Sequence, residues 1–160
     1  MEITKAVKAD IPQLCVLLDY LFTQEADFTP NPELQARGLE TVIADPDMGE
    51  ILIARKPGEH PGTGEILGMV NLLYSVSTVL GARVGIIEDM VVSPSGRGMG
   101  VGSKILSYAI DFAKQNGCKR ITLLTDHDNL EAHRFYQKHG FTQSEMVTFR
   151  LSLEGQPLNI

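Results

Sequence analysis

The sequence predicts an α+β fold, and three observations carry that assignment. The hydrophobic pattern reads β-α-α-β-β-β-α-β-α-β along the chain. Turn-rich segments join the strands of the first half, which suits antiparallel pairing. Around residues 84–125 a strand, a helix and a strand follow one another, the order of a βαβ unit. The 160 residues suit one domain and are tight for two, and 43% hydrophobic against 21% charged residues is an ordinary mix for burying a core. The expected division is one domain over 1–153 and a short tail over 154–160.

The elements follow in order. Ile3 to Val7 alternates as a short edge strand. Asp10 is placed to cap a helix, with Pro12 in the first turn, where its missing N–H does no harm. Leu14, Leu17, Leu18 and Leu21 then recur at helical spacing. A break rich in Asp, Thr and Pro runs to Asn31-Pro32, and a second helix carries Leu34, Leu39, Val42 and Ile43 before Asp45-Pro46 stops it. Strands over 50–55 and 66–76 flank the turn residues of 56–64, predicting a hairpin. The Gly81-Ala82 turn leads into a long apolar strand, Val84 to Val92, with Glu88-Asp89 in its middle. From Gly98 the period becomes helical, with Val101, Ile105, Ala109, Phe112 and Ala113 on one face and Asn116-Gly117 at the end. Lys119 to Thr125 reads as a strand, Asn129 to His139 as a helix ending at Gly140, and Met146 to Leu153 as a last strand.

Composition narrows the function. A net charge of −6 counts against nucleic acid as a partner, because phosphate binding wants a basic face. The absence of Trp and an aromatic content of 6% leave little for stacking exposed bases. The acidic balance mildly favours a cationic substrate. Cys15 and Cys118 lack disulfide-framework or metal-ligand spacing and read as small buried hydrophobes. His127, His133 and His139 stand six apart, which suits no helical metal pair, so no metal site is expected. The N-terminus has no apolar leader, and no stretch reaches the length of a membrane span. A soluble cytoplasmic protein without a membrane partner is the expectation.

Two motifs carry chemistry. Ser93-Pro94-Ser95-Gly96-Arg97-Gly98-Met99-Gly100-Val101-Gly102-Ser103 runs from a strand end through a glycine-rich turn into a helix. A helix N-terminus presents unpaired N–H groups and partial positive charge, so it attracts phosphate. Glycines let the backbone approach the anion, and Arg97 adds a permanent forked cation. The spacing G-x-G-x-G fits neither the dinucleotide fingerprint nor the P-loop, and a purely structural strand–helix turn is the plain alternative. The second motif is Asn129-x-x-Ala132-x-x-Phe135-Tyr136-x-x-x-Gly140-Phe141. Ala132, Phe135 and Phe141 read as core, whereas the Tyr136 phenol needs a polar partner or points into a site.

Together these motifs resemble the GNAT superfamily of N-acetyltransferases. Arg97-x-x-Gly100-x-Gly102 is similar to that family's loop for the coenzyme A pyrophosphate, and Asn129 to Phe141 is similar to its second helical motif. A weaker similarity, in Ile87-Glu88-Asp89 and the apolar run to Arg97, points to the spermidine/spermine acetyltransferase branch. The resemblance implies a central mixed, mostly antiparallel sheet flanked by helices, with the fourth and fifth strands splayed. It implies acetyl-CoA as cosubstrate, direct transfer to an amine, and binding residues at Met90, Val91 and Val92 for pantetheine. The pyrophosphate would fall to Arg97, Gly98, Met99, Gly100, Val101, Gly102 and Ser103, with Asn129 on pantetheine or as a plain helix cap. Tyr136 occupies the family's general-acid position. Glu88 is the first candidate for base, because burial in an apolar strand would raise its pKa, and by strand alternation Asp89 faces the other way. The acceptor would be a polyamine, amino acid, other small amine or protein amine, chosen by Tyr20 to Leu34 and Ser75 to Val84. Glu25, Asp27 and Glu33 are placed to meet a cation. Many members of the family dimerise, so a homodimer is an expectation. A domain that binds acyl-CoA without turning it over, and a nucleotide-binding module of another fold, are the competing readings.

Overall fold

A computed structural model describes residues 1–24 and 30–155. Nine elements organise them: strand β1 (Glu2–Lys5), helices α1 (Ile11–Gln24) and α2 (Pro32–Ala44), strands β2 (Gly49–Arg55), β3 (Ile66–Ser77) and β4 (Ala82–Val92), helix α3 (Val101–Gln115), strand β5 (Ile121–Leu123) and helix α4 (Leu130–Lys138). The strands form one sheet in sequence order, β1-β2-β3-β4-β5. The first four pair antiparallel, and β5 runs parallel to β4, as a crossover through α3 requires. The mixed, mostly antiparallel sheet expected from the sequence is therefore present.

Two cores cover the two faces of the sheet. On one, Leu14, Leu17 and Leu18 of α1 and Leu39 and Val42 of α2 pack on Ile51, Ile53, Met69 and Val91. On the other, Val101, Ile105, Leu106 and Ala109 of α3 pack on Leu52, Val70, Leu72 and Ile87. Ile51, Ile53 and Met69 belong to the first set and Leu52, Ala54, Val70 and Leu72 to the second, so both faces of the central strands are apolar, and the phase changes at Ile66 and Leu67 beside the register shift at Ala54/Arg55. Asn31 caps α2, its side chain accepting from the Leu34 N–H at 3.2 Å, with Pro32 beside it as the sequence indicates.

Several expectations are corrected. Asp10 does not cap α1. It is buried in a 3₁₀ turn (Lys8–Asp10), accepts the Val7 N–H at 2.9 Å and pairs with the buried Arg55. Arg55 also donates to the Gly64 carbonyl at 2.6 Å, tying the turn to the β2–β3 loop. Cys118 is buried as expected, but Cys15 is only half-buried, and both thiols are free. The largest difference is at the C-terminal end: residues 146–153, expected as a strand, pair with no strand, and their apolar side chains are exposed. β5 is also shorter than the expected 119–125. Glu25 and Asp27 lie outside the described residues.

Candidate active site

The β4–β5 ladder joins Gly85, Ile86 and Ile87 to Ile121, Thr122 and Leu123, and goes no further. From Glu88 to Val92, β4 keeps only β3 as a described strand neighbour. The splay that the resemblance implies thus begins beyond Ile87, and the β4 backbone groups past it on that side have no described strand partner. α4 lies across the opening. A cleft of about 310 Å³ results, lined by Met90, Val91, Val92, Gly102, Asn129, Glu131, Ala132, Phe135 and Tyr136.

The glycine-rich turn forms the mouth. Ser93 is buried and accepts from the Gly96 N–H at 3.2 Å, while Ser95 donates to Glu65 at 2.6 Å. That bond, with Lys56 behind it, holds the Glu65 carboxyl below its usual pKa. Gly98 and Gly100 have φ of 74° and 73°, the left-handed region that glycine enters without penalty. Gly100 is the N-cap of α3 and offers no side-chain cap, and no acidic residue stands in the first turn. The first backbone bond of the helix runs from Lys104 N–H to Gly100 carbonyl at 3.1 Å, so the N–H groups of Val101, Gly102 and Ser103 precede the helical ladder. Arg97 and Met99 are exposed beside them, and no ion pair involves Arg97 among the described residues. At Gly102 a Cβ would lie 3.5 Å from both Phe135 Cζ and Val92 Cγ2, so a larger side chain would fill the cleft. This donor set suits a pyrophosphate, and the slot behind it suits a thin, amide-bearing arm.

Tyr136 closes the inner end. Its ring stands edge-on to Phe135 at 5.2 Å and to Phe141 at 5.7 Å, and its hydroxyl lies 3.8 Å from Met90 Sδ. Burial pushes its phenol pKa up, so the group keeps its proton at neutral pH. Asn129 is exposed and caps α4, accepting from the Ala132 N–H at 3.1 Å. The plain capping role is thus filled, and the side chain also borders the cleft. Ala132 and Phe135, read as core from the sequence, line the cleft as well, and Glu131 joins them without having signalled itself in either motif.

The acidic pair divides differently from expectation. The β3–β4 register places Asn71 opposite Asp89 and Leu72 opposite Ile87, so Glu88 is the extra residue of a β-bulge. Glu88 is consequently exposed rather than buried in the strand. Asp89 is half-buried instead, and accepts from Asn71 Nδ2 at 3.2 Å. Desolvation raises its carboxyl pKa, with the Asn71 bond pulling the other way and Glu88 adding a smaller push upward. By alternation from Val91, Asp89 faces the α1–α2 side of the sheet, whereas Met90 and Tyr136 belong to the α3 side. The Asn71 Oδ1 atom is buried and meets no donor among the described residues. Asn71 was missed from sequence, although a polar residue between Val70 and Leu72 in an apolar strand is a readable signal.

A second cleft, also about 310 Å³, lies under α1 and is lined by Gln13, Val16, Leu17, Tyr20, Glu65, Ile66, Ser93, Pro94 and Ser95. Among the described residues no three His, Cys, Asp or Glu side chains group as metal ligands, and no helix is long and apolar enough to cross a membrane.

Known proteins are similar to this chain in sequence and in fold. An aminoalkylphosphonate N-acetyltransferase of Salmonella typhimurium is 29% identical over 143 residues, 89% of this chain and 86% of the relative. An uncharacterized N-acetyltransferase of Bacillus subtilis is 39% identical over 80 residues, and this match spans about half of either protein (50% and 54%). The solved structure of a probable acetyltransferase superposes with a TM-score of 0.80 at 23% identity, covering 98% of this chain and 100% of its own, and so shares the fold. Residues 18–141 match the acetyltransferase (GNAT) family, and they contain both motifs, the splay and the cleft: the chain belongs to that family.

Proposed function

We propose that this chain is an N-acetyltransferase that moves the acetyl group of acetyl-CoA onto a small primary amine. The observation that carries this reading is the cleft opened where β5 leaves β4 at Ile87, with bare α3 N–H groups at its mouth and Tyr136 at its inner end. Family membership supports it, and the Salmonella relative is named for a small amine acceptor. When bound, acetyl-CoA supplies an activated acyl carbon: the amine nitrogen bonds to it as the carbon–sulfur bond breaks.

The residues divide that work by position. Val101, Gly102 and Ser103 N–H groups, with Arg97, hold the pyrophosphate, and Gly98, Met99 and Gly100 shape the turn. Free backbone groups of Met90, Val91 and Val92 hold the pantetheine, with Asn129 at the opposite wall. A β4 N–H near Met90 stabilises the negative charge that develops on the carbonyl oxygen. Tyr136, protonated at working pH, gives its proton to the departing thiolate. On the far face of the sheet, Asp89 receives the amine proton, with Asn71 Oδ1 accepting a second amine hydrogen. In this reading the acid and the base approach from opposite faces of the sheet. Glu88, one residue away in the bulge, is the solvent-facing alternative for the base. The reaction in this reading uses no metal, and a cytoplasmic setting would keep Cys15 and Cys118 reduced. Residues 1–153 act as one catalytic unit.

A thiol-release assay with acetyl-CoA and a panel of small amines tests the proposal. Release that depends on one class of amine supports it. Acetyl-CoA binding without release from any amine would favour a binding module instead.

A further inference from the structure

The turn that leads into the glycine-rich loop is held from another part of the sheet. Ser95 donates to Glu65 Oε1 at 2.6 Å, and the Oγ atoms of Ser93 and Ser95 lie 2.9 Å apart. The single Ser95 hydroxyl proton is committed to the carboxylate, so Ser93 donates to Ser95. Ser93 Oγ in turn accepts the Gly96 N–H at 3.2 Å, within the 3₁₀ turn Pro94–Gly96. A directed chain of hydrogen bonds thus runs from Gly96, the neighbour of Arg97, to the Glu65 carboxylate.

The two ends of that chain differ in stiffness. On the Glu65 side, the Gly64 carbonyl accepts from the buried Arg55 at 2.6 Å, the Glu65 carbonyl accepts the Lys56 N–H at 2.9 Å, and the Ile66 N–H donates to Gln13 Oε1 at 3.0 Å. Lys56 Nζ holds the second carboxylate oxygen at 3.1 Å and offsets a charge that would otherwise oppose a bound anion. On the other side stand Gly98 and Gly100, whose backbones are free to take either sign of φ. The Glu65 and Lys56 side chains are 49% and 45% exposed, and polar pairs open to water add little to the stability of a fold. Their larger effect falls on a ligand, because a loop ordered in advance spares binding the cost of ordering it.

We propose that Glu65 is a positioning residue for the acetyl donor: through Ser95 and Ser93 its carboxylate sets the turn that aims Arg97 and the first N–H groups of α3 at the coenzyme A pyrophosphate. Glu65 touches no reacting atom in this role. The inference rests on the acetyl-CoA reading and adds to the anion site a residue that lies outside both sequence motifs.

Nuclear magnetic resonance titrations with acetyl-CoA and with S-acetylpantetheine, which lacks the pyrophosphate, test it on variants whose circular dichroism shows them folded. Glu65→Ala and Ser95→Ala should each weaken acetyl-CoA binding about three- to tenfold and leave S-acetylpantetheine within about twofold. The double variant should bind no more weakly than either single one, because the two residues are links of one chain. Glu65→Gln keeps an acceptor for Ser95, so its acetyl-CoA affinity should stay within about twofold of the unmodified protein. Equal losses for both ligands, additive losses, or unchanged acetyl-CoA affinity in both single variants would overturn the positioning role and leave the acetyl-transfer reading in place. Absence of acetyl-CoA binding by the unmodified protein would overturn that reading and this inference together.

Discussion

Burial acts on Asp89 and Tyr136 in the same direction and suits the complementary roles proposed for them. It raises both pKa values, so the phenol remains a proton donor and the carboxylate becomes a better acceptor. Tyr136→Phe removes only the donor, so turnover should fall on the order of ten- to a hundredfold while acetyl-CoA affinity changes little. Steady-state kinetics beside direct binding separates the two, and unchanged turnover would reduce Tyr136 to packing. In the role proposed for it Asp89 acts ionised, so kcat/KM should decline as pH falls through its raised pKa. Asp89→Asn should lower activity about a hundredfold and erase that acidic limb, while Glu88→Gln should leave the limb in place. Stability should respond in the opposite sense. A carboxyl whose folded pKa exceeds its unfolded value costs stability once pH rises through the folded pKa, and costs nothing below the unfolded one. Asp89→Asn should therefore raise the melting temperature at pH 8 more than at pH 4. The identity of the buried acid was not legible in the sequence, because one extra residue in the bulge reverses which carboxylate is withdrawn.

At the scale of elements, the glycine turn and the first helical turn make a testable unit. Gly100→Val would force a β-branched residue to φ near 73°, at a cost of about 1–2 kcal/mol. The loop should relax by turning the α3 N–H groups away, so acetyl-CoA binding should be lost while the folded far-ultraviolet spectrum persists. Full affinity in that variant would remove the phosphate role from the loop. This turn was readable because its cause is local: glycine spacing, a strand before it and helical periodicity after it. The apolar stripes of α1, α2 and α3 were readable for the same reason, whereas the sheet face each one covers was not. The C-terminal segment was not. Its alternation of Val147, Phe149, Leu151 and Leu153 announces a strand, but the strand that would receive it is not specified by local pattern.

At the scale of the whole molecule, the buried Asp10–Arg55 pair links the chain's first turn to β2 and the β2–β3 loop across a long sequence separation. Asp10→Ala would leave a buried guanidinium without its counter-charge and should cost about 3–5 kcal/mol, read by urea denaturation. Loss below about 1 kcal/mol would mean that water or another acceptor takes over. The same long-range assembly sets two competing clefts on either side of the β4–α3 turn, and only one of them carries the free helix N-terminus. An amide-resolved nuclear magnetic resonance titration with acetyl-CoA therefore tests the central claim most directly. The account predicts perturbations concentrated at Met90 to Val92, at Gly98 to Ser103 and around Asn129 to Tyr136. Perturbations centred instead on Gln13, Tyr20 and Ile66, or none at saturating ligand, would contradict it.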